Sequence, residues 1–327
     1  MADVPDAVAV PPRLRIAVVG AGGVGGLLGA LLIEAGQGVA FLVRAESARS
    51  LRAAGLRVVT PQREIVVPSP EAAENAAALG PADAVLLCTK AYDLEAAAHA
   101  CAPLVRDDTL VVTLQNGVEA EAIARRALPV GRVMPGLVYV TSTREPTGVI
   151  RQTSPFVRMA FGPRTGDAHG RAAALEAACR RAGLEVTLAD DMQPRLWAKL
   201  LFLASVAAIT SSRDVRVGAL RADPALWAAF VAAMREVEAV GRAHGVALAP
   251  DVVEQGMALA NSLPPEATSS MHEDLLAGRR LELEFLSGAV VRLGRARGVP
   301  TPVHAAAYEA LAPRAAGRSA PPVSAPG

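Results

Sequence analysis

The chain has 327 residues, with 33 Lys plus Arg against 32 Asp plus Glu, a formal net charge of +1 and a pI near 7.8. Such a balance gives no single-sign field, and with aromatics at 3% and no interleaving of basic and aromatic side chains, nothing points to nucleic acid. The length suits two domains with ample material for a core; Cys88, Cys101 and Cys179 are scattered, without C-x-x-C or Cys/His ligand spacing, which fits a reduced cytoplasm and no metal centre.

The first stretch, MADVPDAVAVPPR, is acidic and proline-containing rather than basic then apolar. No secretory leader is expected there, and residues 1–13 are expected to form a disordered tail. LRIAVVGAGGVGGLLGALLIEAG, from Leu14 to Gly36, then reads as strand, glycine turn and helix, and VAFLVR, ending at Arg44, as a second strand. Gly20, Gly22 and Gly25 have the G-x-G-x-x-G spacing. The first permits the turn, the second lets a pyrophosphate approach the backbone, and the third lets helix and strand pack closely. The turn Gly20, Ala21, Gly22, Gly23, Val24 and Gly25 is therefore the expected dinucleotide contact, with free amides of the helix N-terminus on the phosphates. Where an NAD site usually carries an acidic residue for the ribose hydroxyls, this chain has Arg44. An arginine there suits a 2′-phosphate and favours NADPH/NADP+.

Next, LRVVTPQREIVVP resembles a hairpin around Thr60–Pro61. DAVLLCTK (83–90) and TLVVTLQNG (109–117) are continuous apolar runs of the kind that a strand buried on both faces requires, separated by an Ala-rich helical stretch over 93–104. Shorter extended pieces follow around Val138, Val149 and Val157, then a helix from about Asp167 to Ala182 and the strand LEVTLA. This is the pattern of an α/β Rossmann domain with a doubly wound parallel sheet, residues 14–190.

From Met192 the pattern is helical only, with turns at Pro224, Pro250, Pro264–Pro265 and Gly298. An all-helical domain is expected over 191–312 and a disordered Pro/Ser/Ala/Gly tail over 313–327. LLFLASVAAIT is far shorter than the roughly 20 residues of a membrane span and reads as a buried helix. Long apolar helices in this half could supply a homodimer interface.

In open parallel sheets, ligands bind beyond the carboxyl ends of the strands. Lys90, Asn116 and Arg44 occupy such ends. Lys90 also reads as a solvated loop lysine, and Asn116 as the turn residue before Gly117. In the helical half, Lys199 shares a face with Phe202, Leu203 and Val206. It reads either as a lysine snorkelling at a core edge or as a general acid that protonates the oxygen left by hydride transfer. Burial alone would neutralise it, so the second reading needs a carboxylate, for which Glu282 is the candidate. In RRLELEFLSGAVVRLG, helical periodicity puts Glu282 with Phe285, Leu286, Ala289 and Leu293, and Glu284 on the more polar face of Ser287, Gly288 and Arg295. Glu282 reads equally as a first-turn acid favoured by the helix dipole. In TSSMHEDLLAG, Ser270 and Glu273 fit a capping box closed by Gly278, and the same serine could meet a substrate carboxylate. His99, His169, His244, His272 and His304 are scattered, and no chemistry is assigned to them.

Taken in order, VVGAGGVG, FLVR, CTKAYD, LQNGV, W-A-K-L and TSSMHEDLLAGRRLELEFLSGAVVRLG resemble the ketopantoate reductases over nearly the whole chain, the TSSM…D…G-R…E stretch most specifically. The resemblance implies an oxidoreductase with NADPH reducing a small 2-keto acid to a 2-hydroxy acid, most simply 2-dehydropantoate to pantoate in pantothenate and coenzyme A biosynthesis, in a site between the two domains. It implies Lys199 as catalytic acid, Glu282 as its partner, Ser270 and Asn116 at the substrate, Arg44 at the 2′-phosphate, and Lys90 and Asn116 at the cofactor. The chain departs from the family where asparagines are common four and eight residues after the lysine and three before the serine. It has Leu203, Ala207 and Ala267 there, and Glu284 where an Asp is frequent. A paralogue acting on a more apolar 2-keto acid, a non-catalytic NADP(H) sensor and a hydroxyacid dehydrogenase of the 6-phosphogluconate type are the alternatives.

Overall fold

The computed structural model describes residues 13–128, 132–163 and 170–317. The tail expected over 1–13, apart from Arg13, and the part of the C-terminal tail after 317 lie outside the described residues, as does His169. The chain divides into two compact units, one of residues 1–89, 93–114 and 121–190, the other of 90–92, 115–120 and everything from 191 onward.

The first unit carries strands β1 (Arg15–Val19), β2 (Gly38–Leu42), β3 (Leu56–Val59), β4 (Glu64–Val67), β5 (Glu71–Ala73), β6 (Ala84–Leu87), β7 (Leu110–Thr113), β8 (Arg132–Tyr139), β9 (Ser142–Arg144), β10 (Ile150–Gln152), β11 (Arg158–Phe161) and β12 (Glu185–Leu188). Helices α1 (Gly23–Glu34), α2 (Ala45–Ala54), α3 (Leu94–Ala100), α4 (Ala120–Ala127) and α5 (Gly170–Arg181) connect them. Eight strands form one sheet in the order β12-β11-β8-β7-β6-β1-β2-β5. All neighbours are parallel except β8 and β11. The apolar runs of β6 and β7 are buried at every residue, as strands covered on both faces must be. The Rossmann sheet expected from the sequence is therefore present, with an antiparallel pair near one edge.

A second sheet, β4-β3-β10-β9, was only half visible in the sequence. The hairpin β3–β4 turns at Thr60, whose Oγ1 accepts from the Arg63 amide at 3.0 Å. The three-residue strands β9 and β10 are too short to leave a periodic pattern. Helix α1 packs against strands of both sheets, which explains why GVGGLLGALLIE has no polar face. Its small residues meet large ones: a Cβ on Gly26 would strike Ile150, and one on Gly29 the ring of Phe41. The helix expected from about Asp167 is described from Gly170.

Among its described residues from 191 on, the second unit is helical: α6 (Gln193–Arg213), α7 (Val217–Ala222), α8 (Pro224–Ala243), α9 (Val252–Ser262), α10 (Ser270–Leu276), α11 (Ser287–Ala296) and α12 (Pro302–Leu311). The apolar run of α6 is its centre, packed against α8, α9, α10, α11 and α12. No helix among the described residues is long and apolar enough to cross a membrane. Asp223 caps α8 by accepting from the Ala225 and Leu226 amides, with Pro224 in the first turn where its missing N–H costs nothing. The expected tail boundary at 313 needs correction. A 3-10 turn continues through Arg314, and the Leu281 amide donates to Ala315 O at 2.9 Å, so residues 313–317 are tied back to the fold.

Candidate active site

In the first unit, the glycine turn has the geometry its spacing demands. Gly20 sits at φ +95°, open to glycine but strained for other residues, and its amide donates to Leu42 O at 2.9 Å. A Cβ on Gly25 would overlap the Gly20 carbonyl, whereas one on Gly22 would project into open space. The close approach thus belongs to the third glycine, and the room to the second. Helix α1 has no side-chain cap and no acid in its first turn, so its first amides stay available to an anion. Arg44 lies exposed just past β2, at the N-cap of α2, and pairs with no carboxylate among the described residues. Arg144 of β9, which the sequence reading missed, reaches Ser47 Oγ in the first turn of α2 at 3.4 Å. These features fit a dinucleotide with an extra phosphate.

The second unit holds the charged chemistry. The chain has only 2 lysines, Lys90 and Lys199, against 31 arginines. Arginine keeps its proton at any physiological pH, whereas lysine can give one up when its surroundings favour it. Both lysines feel the same carboxylate. Lys90 Nζ lies 2.8 Å from Asp274 Oδ2 and 3.3 Å from Glu282 Oε2. Glu282 Oε1 accepts from the Ala91 amide at 3.0 Å, and Asp274 Oδ1 from Arg279 Nε at 2.7 Å. Both carboxylates are buried while Lys90 is half-exposed. Burial opposes the charge on Lys90, but Glu282 and Asp274 outweigh it and hold its pKa above the ordinary lysine value. Lys199 of α6 responds the other way. Burial lowers it to about 8, against an opposing pull from Glu282. Of two ammonium groups around one carboxylate, one is held firmly charged and the other is poised to release a proton near neutral pH.

Glu282 is not where helical periodicity placed it. It precedes a 3-10 turn, Leu283–Phe285, and α11 starts only at Ser287. The expected single helix fails because the Glu282 carboxylate binds the Ala91 amide and Lys90 instead of serving a helix's own first turn. Glu284 points outward, accepting from Tyr308 OH at 2.7 Å and pairing with Arg292. The capping box also needs correction by one residue. Ser269 is the N-cap of α10, its Oγ accepting from the His272 amide at 3.1 Å and lying 3.0 Å from Thr210 Oγ1. Ser270 is exposed, so its hydroxyl is not spent on the cap. Asn116 is half-buried in the segment 115–120, where a Cβ on Gly117 would stand 3.0 Å from Phe285 O and Glu119 pairs with Arg292 at 2.7 Å. Leu203 is half-buried and Ala207 fully buried on α6.

The histidines do other work. His272 is buried, with Nδ1 2.7 Å from Thr268 Oγ1 and Nε2 2.8 Å from Asp214 Oδ1. Asp214 ends α6 in the left-handed conformation. Burial pushes all three cysteine thiols up to about 12, which leaves them poor nucleophiles. Among the described residues, no group of three His, Cys, Asp or Glu side chains could hold a metal ion.

Comparison with known proteins gives this geometry its setting. The family model for ketopantoate reductase PanE/ApbA matches residues 16–166, and that for its C-terminal region matches 191–315. The 2-dehydropantoate 2-reductase of Halobacterium salinarum is 32% identical, covering 89% of this chain and 95% of its own. That of Mycobacterium tuberculosis is 33% identical, covering 88% and 93%. The crystal structure of a PanE/ApbA family ketopantoate reductase from Ralstonia eutropha superposes with a TM-score of 0.84 at 31% identity, covering 92% of this chain and 98% of the other. Ketopantoate reductases use NADPH. By matches that span nearly its whole length, the chain belongs to the ketopantoate reductase family and is an oxidoreductase acting on CH–OH donors.

Proposed function

We propose that this chain reduces 2-dehydropantoate to pantoate with NADPH, as a step of pantothenate and coenzyme A biosynthesis. The observation that carries the reading is Lys199, lowered to about 8 by burial and opposed by Glu282. NADPH, when bound, supplies the hydride for the keto carbon. The Lys199 ammonium meets the keto oxygen and gives it a proton as negative charge develops there. Glu282 keeps that ammonium charged before the step and receives no proton itself. Ser270 and Asn116 hold the substrate. Gly20, Ala21, Gly22, Gly23, Val24 and Gly25 cradle the pyrophosphate, Arg44 meets the 2′-phosphate, and Lys90 and Asn116 lie at the cofactor.

With Leu203 and Ala207 in place of amides, the helix face after Lys199 offers no donor to a substrate hydroxyl. Loss of that hydroxyl is expected to cost this enzyme far less than the roughly 10⁴-fold seen where a site is built to bond one. The test is NADPH oxidation by the purified protein over a panel of 2-keto acids, with 2-dehydropantoate and its analogue lacking the hydroxyl side by side. Turnover of 2-dehydropantoate supports the reading, and absence of turnover across the panel overturns it.

A further inference from the structure

Arg144 holds no ion pair among the described residues, unlike the arginines around it. Arg151 pairs with Glu145 at 2.5 Å, Arg63 pairs with Glu34, and Arg52 donates to Ala72 O at 3.3 Å. The small sheet aims Arg144. Strand β9 runs antiparallel to β10 with Arg144 opposite Ile150, and opposite residues project from the same face. Ile150 meets Gly26 of α1 from that face, and a Cβ on Gly23, the first residue of α1, would strike the Ser142 carbonyl of β9. Arg144 therefore leaves the sheet on the side of α1, the helix that follows the glycine turn. Its Nη1 comes to rest 3.4 Å from Ser47 Oγ in the first turn of α2.

Ser47 stands three residues after Arg44, the N-cap of α2, and side chains at these two positions come together, as in a capping box. Two guanidiniums thus gather at a helix N-terminus that has no side-chain cap. That is the end where the helix dipole opposes cations and favours anions. Glu46 does not offset them: two residues from Arg44, it faces away from it on the helix, and it is exposed. We propose that Arg144 is a second arginine for the 2′-phosphate of NADPH, acting with Arg44 and the Ser47 hydroxyl. The proposal rests on the reading of Arg44 as a 2′-phosphate contact. A phosphate monoester carries about two negative charges on three acceptor oxygens, which suits two guanidinium forks, whereas the ribose hydroxyl of NADH carries no charge. Arg144 is then a residue that decides between the two cofactors.

The test reads binding rather than turnover. The full-length protein is titrated calorimetrically with adenosine 2′,5′-bisphosphate and with adenosine 5′-monophosphate, which differ only in the 2′-phosphate. Arg144→Ala should weaken the bisphosphate about tenfold or more, the worth of a hydrogen bond to a charged group, and leave the monophosphate within about twofold. Arg144→Glu, which puts a repelling charge in the same place, should weaken the bisphosphate further. Arg144 is exposed, so both variants are expected to fold, and the retained monophosphate affinity reports that they have. The Kd of NADPH, followed by its fluorescence, should move with the bisphosphate, and that of NADH with the monophosphate. A bisphosphate affinity unmoved in Arg144→Ala, or a monophosphate affinity that falls equally, overturns the proposal. If Arg44→Ala abolishes the difference between the probes while Arg144→Ala leaves it intact, the proposal fails and the reading of Arg44 stands. If the parent binds the bisphosphate no tighter than the monophosphate, the reading of Arg44 fails and the proposal with it.

Discussion

The glycine turn of the first unit and the lysine cluster of the second are both built to meet charge, but by opposite means. The turn works with backbone. Its residues lie in one stretch from Leu14 to Arg44, where Gly20 is required by its left-handed φ and Gly25 by the Gly20 carbonyl, while Gly22 leaves open space. The cluster works with side chains brought from afar, with Lys90 and Glu282 separated by 192 residues. Its behaviour depends on which carboxylate each ammonium meets. A steric site tolerates little change of shape, whereas an ionic site can keep its shape and lose its function when one charge is removed.

Substitutions should separate the two kinds of site. The largest effect is expected from Glu282→Gln, which leaves the shape but removes the counter-charge of Lys199. At neutral pH kcat/KM should fall about 10²-fold or more. Because the Lys199 pKa drops further below 8, part of the loss should return as the pH is lowered; a loss independent of pH would mean that Glu282 acts on something other than Lys199. Arg44→Ala tests the cofactor end alone. It should reduce the preference for NADPH over NADH about 10- to 100-fold, the worth of a hydrogen bond to a charged group, with keto-acid KM unaltered. An unchanged preference would remove Arg44 from the 2′-phosphate. The smallest effect compares two neighbours. Ser269→Ala should cost about 1 kcal/mol in urea unfolding, as loss of a cap does. Ser270→Ala should leave stability within about 0.5 kcal/mol and raise the keto-acid KM several-fold, and the reverse pattern would return the cap to Ser270.

The same contrast explains what could be read from the chain. The parallel sheet was legible because strands buried on both faces must be continuously apolar, and the dinucleotide turn because its glycines answer local needs. Glu282 was the expected partner of Lys199 because a lysine on an apolar face needs a carboxylate, and Glu282 does favour the charge on Lys199 against its burial. The local structure around that carboxylate could not, because the 3-10 turn at Leu283–Phe285 follows from contacts made by Glu282 with Lys90 and Ala91, and helical periodicity carries no trace of them. The capping box was misread by one position because T-S-S offers two serines, and only the contact of Ser269 with Thr210, 59 residues away, selects between them. Asp274 carried no role in the sequence, since an acid in HEDLLAG looks like any solvated helix charge, whereas it is buried and paired with Lys90 and Arg279. The one compositional sign of the cluster, 2 lysines among 33 basic residues, points straight at its two ammonium groups.

The most direct test of Lys199 as the proton donor is the Lys199→Ala protein, assayed for 2-dehydropantoate-dependent NADPH oxidation and for NADPH binding in the same preparation. Turnover should fall by about 10²- to 10⁴-fold, the usual contribution of a positioned acid, with the Kd for NADPH unchanged. Turnover equal to that of the parent, with binding intact, would contradict it.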